Sequence, residues 1–138
     1  MFKNAALLML VLALVPLSIE AKKSTSKTDK ALEVSLKAYS LAVRWNDFDA
    51  ASDLIDPEML KEEKFSEADE SYYKNFQISG YTLKTSAYPD STHYTQRVEL
   101  RIIDQNTQVE RTKIDKQSWR YDALTKRWWL TSGLPKLE

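Results

Sequence analysis

The spacing of apolar residues along this chain changes once, near Phe76, and that change limits the folds open to it. Before it, Leu32, Leu36, Tyr39 and Val43 recur at helical spacing, and Ala31, Ala38, Ala42 and Trp45 widen their stripe. After it the pattern alternates. Tyr94, Val98, Leu100 and Ile102 point one way, and Arg97, Glu99 and Arg101 point the other. Helices segregated from strands call for an α+β domain. The helices must cover one face of an antiparallel sheet, and the face carrying Arg97, Glu99 and Arg101 is left to water.

Local signals divide the two halves. Thr28 or Asp29 can cap the first helix by accepting a hydrogen bond from an early N–H. Asn46-Asp47 stops and restarts the chain, and a short second helix is predicted over 48–55, with Phe48, Ala51, Leu54 and Ile55 as its apolar side. Asp56-Pro57-Glu58 is a further start signal: a capping acid, a proline where the missing N–H costs nothing, and an acid at the positive end of the dipole. It opens a third helical region over 57–63, and another turn is expected over 67–73. In the second half, Tyr81, Leu83 and Thr85 share a face of the first strand, while Ile78 has the opposite parity across Gly80. A parity switch at glycine predicts a bulge or bend. Tyr88-Pro89-Asp90-Ser91 and Asp104-Gln105-Asn106-Thr107 are turns. A third strand over 108–122 has a polar middle with Trp119 and Tyr121 at its buried end, and 127–132 is the last strand of a four-stranded meander.

Residues 1–21 read as a secretory signal peptide: Lys3, an apolar run over 5–17 broken only by Pro16, and Ala21 at the cleavage point. The run is shorter than the roughly 20 apolar residues of a spanning helix. A cut after Ala21 leaves 138 − 21 = 117 residues, enough for one domain with its own core. A retained leader would instead make a membrane anchor. Residues 22–30, rich in Lys, Ser and Thr, are expected to be a flexible polar tether, and 31–138 the folded domain. The expected location is periplasmic or secreted, with no membrane span after cleavage.

The absence of cysteine excludes a lipid anchor on sulfur, disulfides and thiolate metal sites, and the single His93 excludes an imidazole cluster. Asp47, Asp49, Asp53 and Asp56 do not have calcium-loop spacing, so no metal and no cofactor is expected. Lys and Arg total 20, as do Asp and Glu, a balance unlike that of a nucleic-acid binder.

Three segments carry a family resemblance: Trp45-Asn46-Asp47-Phe48-Asp49-Ala50-Ala51 at the helix break, Ile55-Asp56-Pro57 at the exit of the second helix, and the closing hairpin from Trp119-Arg120-Tyr121 to Arg127-Trp128-Trp129-Leu130. In these the chain resembles the NTF2-like superfamily over nearly all of its mature length. The resemblance implies a cone formed by helices on a curved four-stranded antiparallel meander. In some members the cone holds a small apolar ligand or an active site, and in many others it is only core.

Tyr39, Trp45, Tyr81, Trp119, Tyr121 and Trp128 are the residues expected to line such a pocket, with Tyr72 a further tyrosine within reach. No acid is placed on an inward face by the pattern. Asp53 is the nearest, and His93, beside a turn, reads as a surface histidine. Trp128 and Leu130 share the core face, so Trp129 should point outward and serve as an interface anchor. Without a catalytic constellation, the expectation is a non-enzymatic exported module that binds an envelope protein or forms a homodimer. The alternative is a small apolar ligand binder or enzyme using the cone pocket.

Overall fold

A computed structural model describes residues 26–60 and 65–138, and the leader of 1–21 lies outside the described residues. The described chain runs α1 (Lys27–Arg44), α2 (Phe48–Ser52), a 3-10 turn (Pro57–Met59), α3 (Glu67–Tyr73), then β1 (Phe76–Asp90), β2 (His93–Asp104), β3 (Glu110–Asp122) and β4 (Arg127–Leu130). The strands pair antiparallel in the order β1-β2-β3-β4, the meander expected from the alternation. No helix among the described residues is long and apolar enough to cross a membrane.

Capping sets the helix limits. Ser26 accepts from the Asp29 N–H at 3.1 Å, so α1 opens earlier than Thr28, and residues 27–30 are its first turn rather than the end of a tether. Asn46 takes a positive φ of 59° at the corner after α1. Its side chain donates to the Phe76 carbonyl and accepts from the Ile78 N–H, both at 2.7 Å, which fastens the helix break to β1. Asp47 caps α2 and Asp56 caps the 3-10 turn. This turn stops at Met59, shorter than the helix predicted over 57–63, of which 61–63 lie outside the described residues. Ser66 and Asp69 form a reciprocal capping box on α3.

The sheet's inner face is read from its register. Tyr94, Gln96, Val98, Leu100 and Ile102 on β2 stand opposite Trp119, Gln117, Asp115, Lys113 and Arg111 on β3. A register shift at Ile78/Gly80 carries out the predicted parity switch. A Cβ on Gly80 would meet the Arg101 side chain at 2.9 Å. β1 continues through the predicted turn at Tyr88-Pro89 as far as Asp90, and Ser91-Thr92 makes the reversal.

α1 lies across the inner face with Leu32, Ser35, Tyr39 and Val43 buried. Trp119 and Trp128 fill the centre, and truncating either to Ala should cost roughly 3–5 kcal/mol. The exit of α2 joins the sheet edge: the Leu130 N–H donates to the Leu54 carbonyl at 2.8 Å, and the Asp56 N–H to the Leu130 carbonyl at 2.9 Å. There the Arg120 guanidinium grips the Asp56 carboxylate with two nitrogens.

Candidate functional site

Six polar side chains meet where α1 crosses the middle of β2 and β3. Gln117 is their centre and is fully buried. Its Oε1 accepts from Gln96 Nε2 at 2.8 Å and from the Trp119 indole at 3.3 Å. Its Nε2 donates to Asp115 Oδ2 at 3.0 Å and to the Tyr81 hydroxyl at 3.1 Å. Gln96 Oε1 in turn accepts from the Tyr94 hydroxyl at 2.9 Å. Both ends of the Gln117 amide are therefore in use, which fixes the orientation of its neighbours.

Two buried groups stand out beside or within this network. The Tyr39 hydroxyl is buried with no hydrogen-bond partner among the described residues, while its ring meets Trp119 edge-on at 5.5 Å. Asp115 is buried, and its carboxylate accepts from Gln117 with no cation in contact among the described residues. Lys113, two residues along the same face, donates instead to the Glu138 carbonyl at 3.2 Å. Burial pushes the Asp115 pKa above its ordinary 3.8, against weaker opposition from the Gln117 hydrogen bond and the Lys113 charge. Burial and the field of Asp115 raise the Tyr39 hydroxyl well above its ordinary value, and burial pushes Tyr81 up to about 12.

The segment after β4 folds back over this end of the cone. Tyr73 donates to the Pro135 carbonyl at 2.9 Å, and the Tyr72 hydroxyl accepts from the Leu137 N–H at 2.8 Å. Leu137 is fully buried. Between this segment and β3 a concavity of about 310 Å³ remains, with Asp115 in its wall beside Leu134 and Pro135. That volume is at the lower end of the roughly 300–1,000 Å³ typical of small-molecule sites. A larger open cleft, about 800 Å³, lies away from the network, between α2, α3 and the start of β1.

The aromatic residues singled out in the sequence separate into three groups. Tyr39, Tyr81 and Trp119 come together around Gln117. Trp128 and Tyr121 pack on one another at 5.6 Å in the adjoining layer, where the Trp128 indole donates to the Thr28 carbonyl. Trp45 does not line the cone. It caps α1 on the side away from Tyr39 and is 80% exposed. Trp129 does face away from Trp128, but it is only 7% exposed. The Arg127 guanidinium lies 4.4 Å over its ring and its indole donates to Thr125, so its own chain covers it and no outward anchor results. Asp53 is exposed at the end of α2 rather than in the cone. His93 is exposed and bonds Asp90 at 2.9 Å, which helps hold the Asp90 carboxyl down at about 2. The inward acid is Asp115, which the sequence reading passed over within a polar stretch. Counting back by twos from Trp119 reaches Gln117 and Asp115 and would have found it. No group of three His, Asp or Glu among the described residues is placed to hold a metal.

No protein-family model matches the chain, and no curated protein does. Solved structures do resemble it. A ketosteroid isomerase-like protein from Erwinia carotovora atroseptica is 15% identical, with a TM-score of 0.53 over 74% of this chain and 89% of that one. A protein described as a SnoaL-like polyketide cyclase from Mesorhizobium loti is 10% identical, with a TM-score of 0.43 over 71% and 93% of the two chains.

Proposed function

From the NTF2-like fold that this chain has, we infer that its cone binds a small, largely apolar molecule whose polar group meets Asp115 and Tyr39. The observation carrying this reading is a concavity with the buried Asp115 in its wall, together with a buried Tyr39 hydroxyl that lies in the field of Asp115 and has no hydrogen-bond partner among the described residues. A buried donor without a partner costs about 1–3 kcal/mol, and a ligand that supplies the partner recovers it. This reading replaces the expected non-enzymatic partner-binding role, whose motivations were an outward Trp129 and the lack of an inward acid. Thermal-shift and calorimetric titration with a panel of small amphipathic compounds tests it. Compounds that raise the melting temperature of the wild type should bind Asp115→Asn and Tyr39→Phe at least about tenfold more weakly. If no compound binds, or both variants bind unchanged, the reading fails.

A second reading, catalysis at the same site, is favoured by Asp115 alone. A carboxyl raised by burial beside a tyrosine hydroxyl is suited to proton transfer. Its signature would be a rate that follows the titration of Asp115 and vanishes in Asp115→Asn. Export belongs to the proposal as well, resting on the leader of 1–21. Intact mass of the protein from its native cells should show Lys22 as the first residue, and a chain retaining Met1 would count against cleavage.

A further inference from the structure

α1 carries a second apolar stripe beside its core face. Ala31, Val34, Ala38, Leu41 and Trp45 follow one another at spacings of three, four, three and four, the a/d pattern of a helix seam. Only Ala31 of this seam packs against the core: Val34 is 69% exposed and Leu41 44%, and the seam ends on the exposed Trp45. Three basic residues at strict heptad spacing, Lys30, Lys37 and Arg44, run along one flank; the Arg44 guanidinium turns onto Tyr81 of β1, which leaves Lys30 and Lys37 as the charges facing outward. The other flank has no charge on the helix itself, but the β3–β4 turn brings Lys126 and Arg127 against it. There they border a shallow groove of about 190 Å³ whose floor is Ala31, Ser35 and Ala38.

We propose that this face of α1 docks an acidic amphipathic helix of another protein. The apolar seam takes the partner's a and d side chains, the small floor residues let the two backbones approach, and the basic rows on both flanks select Asp and Glu at the partner's e and g positions. Charge decides among possible occupants. A second copy in antiparallel register would set Lys30, Lys37 and Arg44 against the same row of its mate, an unfavourable like-charge contact. An anionic bilayer is less well matched, because the chain as a whole is neutral and the seam is bordered by a recess rather than a convex surface. The inference is independent of the cone site.

Fluorescence anisotropy with the chain of residues 22–138 tests it. The probe is a labelled three-heptad peptide with Leu at a and d and Glu at e and g, and its counterpart carries Lys in place of Glu. The acidic peptide should bind at least about tenfold more tightly than the basic one, and Trp45→Ala with Leu41→Ala should weaken it by a similar factor. Lys30→Glu with Lys37→Glu should reverse the preference. These positions face solvent, so circular dichroism melts of the variants should overlay the parent. Equal binding of the two peptides, or a preference unchanged by the charge reversal, would overturn the proposal. So would co-sedimentation with 3:1 phosphatidylethanolamine–phosphatidylglycerol vesicles (about 75 and 25% by mole) that the acidic peptide does not compete away, which would make the face a lipid contact. Concentration-dependent dimerisation abolished by Trp45→Ala would assign the seam to a second copy instead.

Discussion

Asp56 and Asp115 are both buried on β-sheet neighbours, yet their surroundings shift them in opposite directions. Asp56 sits under the Arg120 guanidinium, also accepts from the Glu58 N–H, and is held below its ordinary pKa chiefly by the arginine. Among the described residues, Asp115 has only the Gln117 amide in hydrogen-bonding contact, and burial pushes it up. The difference separates two uses of a buried acid. A carboxylate gripped by a bidentate arginine joins two elements, here the exit of α2 and β3. One left without a cation is a destabilised group that the fold tolerates, and it is such groups that mark sites.

The comparison predicts effects of opposite sign. Arg120→Met should cost roughly 3 kcal/mol at neutral pH, because it strands Asp56 as an uncompensated buried charge. The lower part of the usual range applies, since the Arg120 side chain is 24% exposed. A loss below about 1 kcal/mol in urea unfolding would mean that the pair is not structural, and the contrast would collapse. Asp115→Asn should instead stabilise the domain by about 1 kcal/mol at neutral pH, by removing a desolvated charge while keeping a partner for Gln117. If it destabilises, Asp115 is structural like Asp56.

The pH dependence sharpens the same point. The folded pKa of Asp115 is raised, so the native state holds its proton more tightly, and this acid's contribution to stability falls as pH rises from 3.8 through the folded value. The advantage of Asp115→Asn should therefore be absent below 3.8 and grow above it. Asp56, with its lowered value, contributes stability that is present above 3.8 and is lost as pH falls through its folded value. Melting temperatures across pH would show both signs. Tyr39→Phe should gain up to about 1 kcal/mol, because it deletes a buried hydroxyl that has no partner. Smallest of all, Lys113→Met should raise the Asp115 pKa a little further, visible by carboxyl NMR, and a fall would show that Lys113 is not the nearby cation acting on it.

The legibility of these regions in the sequence follows from what each signal measures. Periodicity reports burial, so it found the core stripe of α1, the inward row of β2 and the order of the sheet. Asp56 was legible too, as a cap before Pro57, although its arginine partner was not, because Arg120 lies 64 residues away. Asp115 escaped because an inward polar row looks like an outward one until its parity is tied to Trp119. Trp129 shows the reverse limit. Its parity was right, but alternation says which way a side chain leaves the sheet and nothing about Arg127 folding back to cover it. Trp45 was assigned to the core stripe although it lies far around the helix from Tyr39, and the seam it completes with Val34 and Leu41 has the same period as the core stripe.

The contacts between α1 and β4 bear on how this chain acquires its structure. The Trp128 indole donates to the Thr28 carbonyl, and the Ser35 hydroxyl to the Trp128 carbonyl, across separations of 100 and 93 residues. A chain delivered N-terminus first, from a ribosome or through a translocation channel, presents α1 well before β4. The buried stripe of α1 then has no complete sheet to close against until β4, some 100 residues later, has followed it. Non-local closure of this kind slows folding and leaves apolar surface open to other chains in the interval. The first helix is thus made early and completed last, so the nascent domain depends on a holding factor, or on speed of delivery, more than a locally wired helical bundle of the same size would.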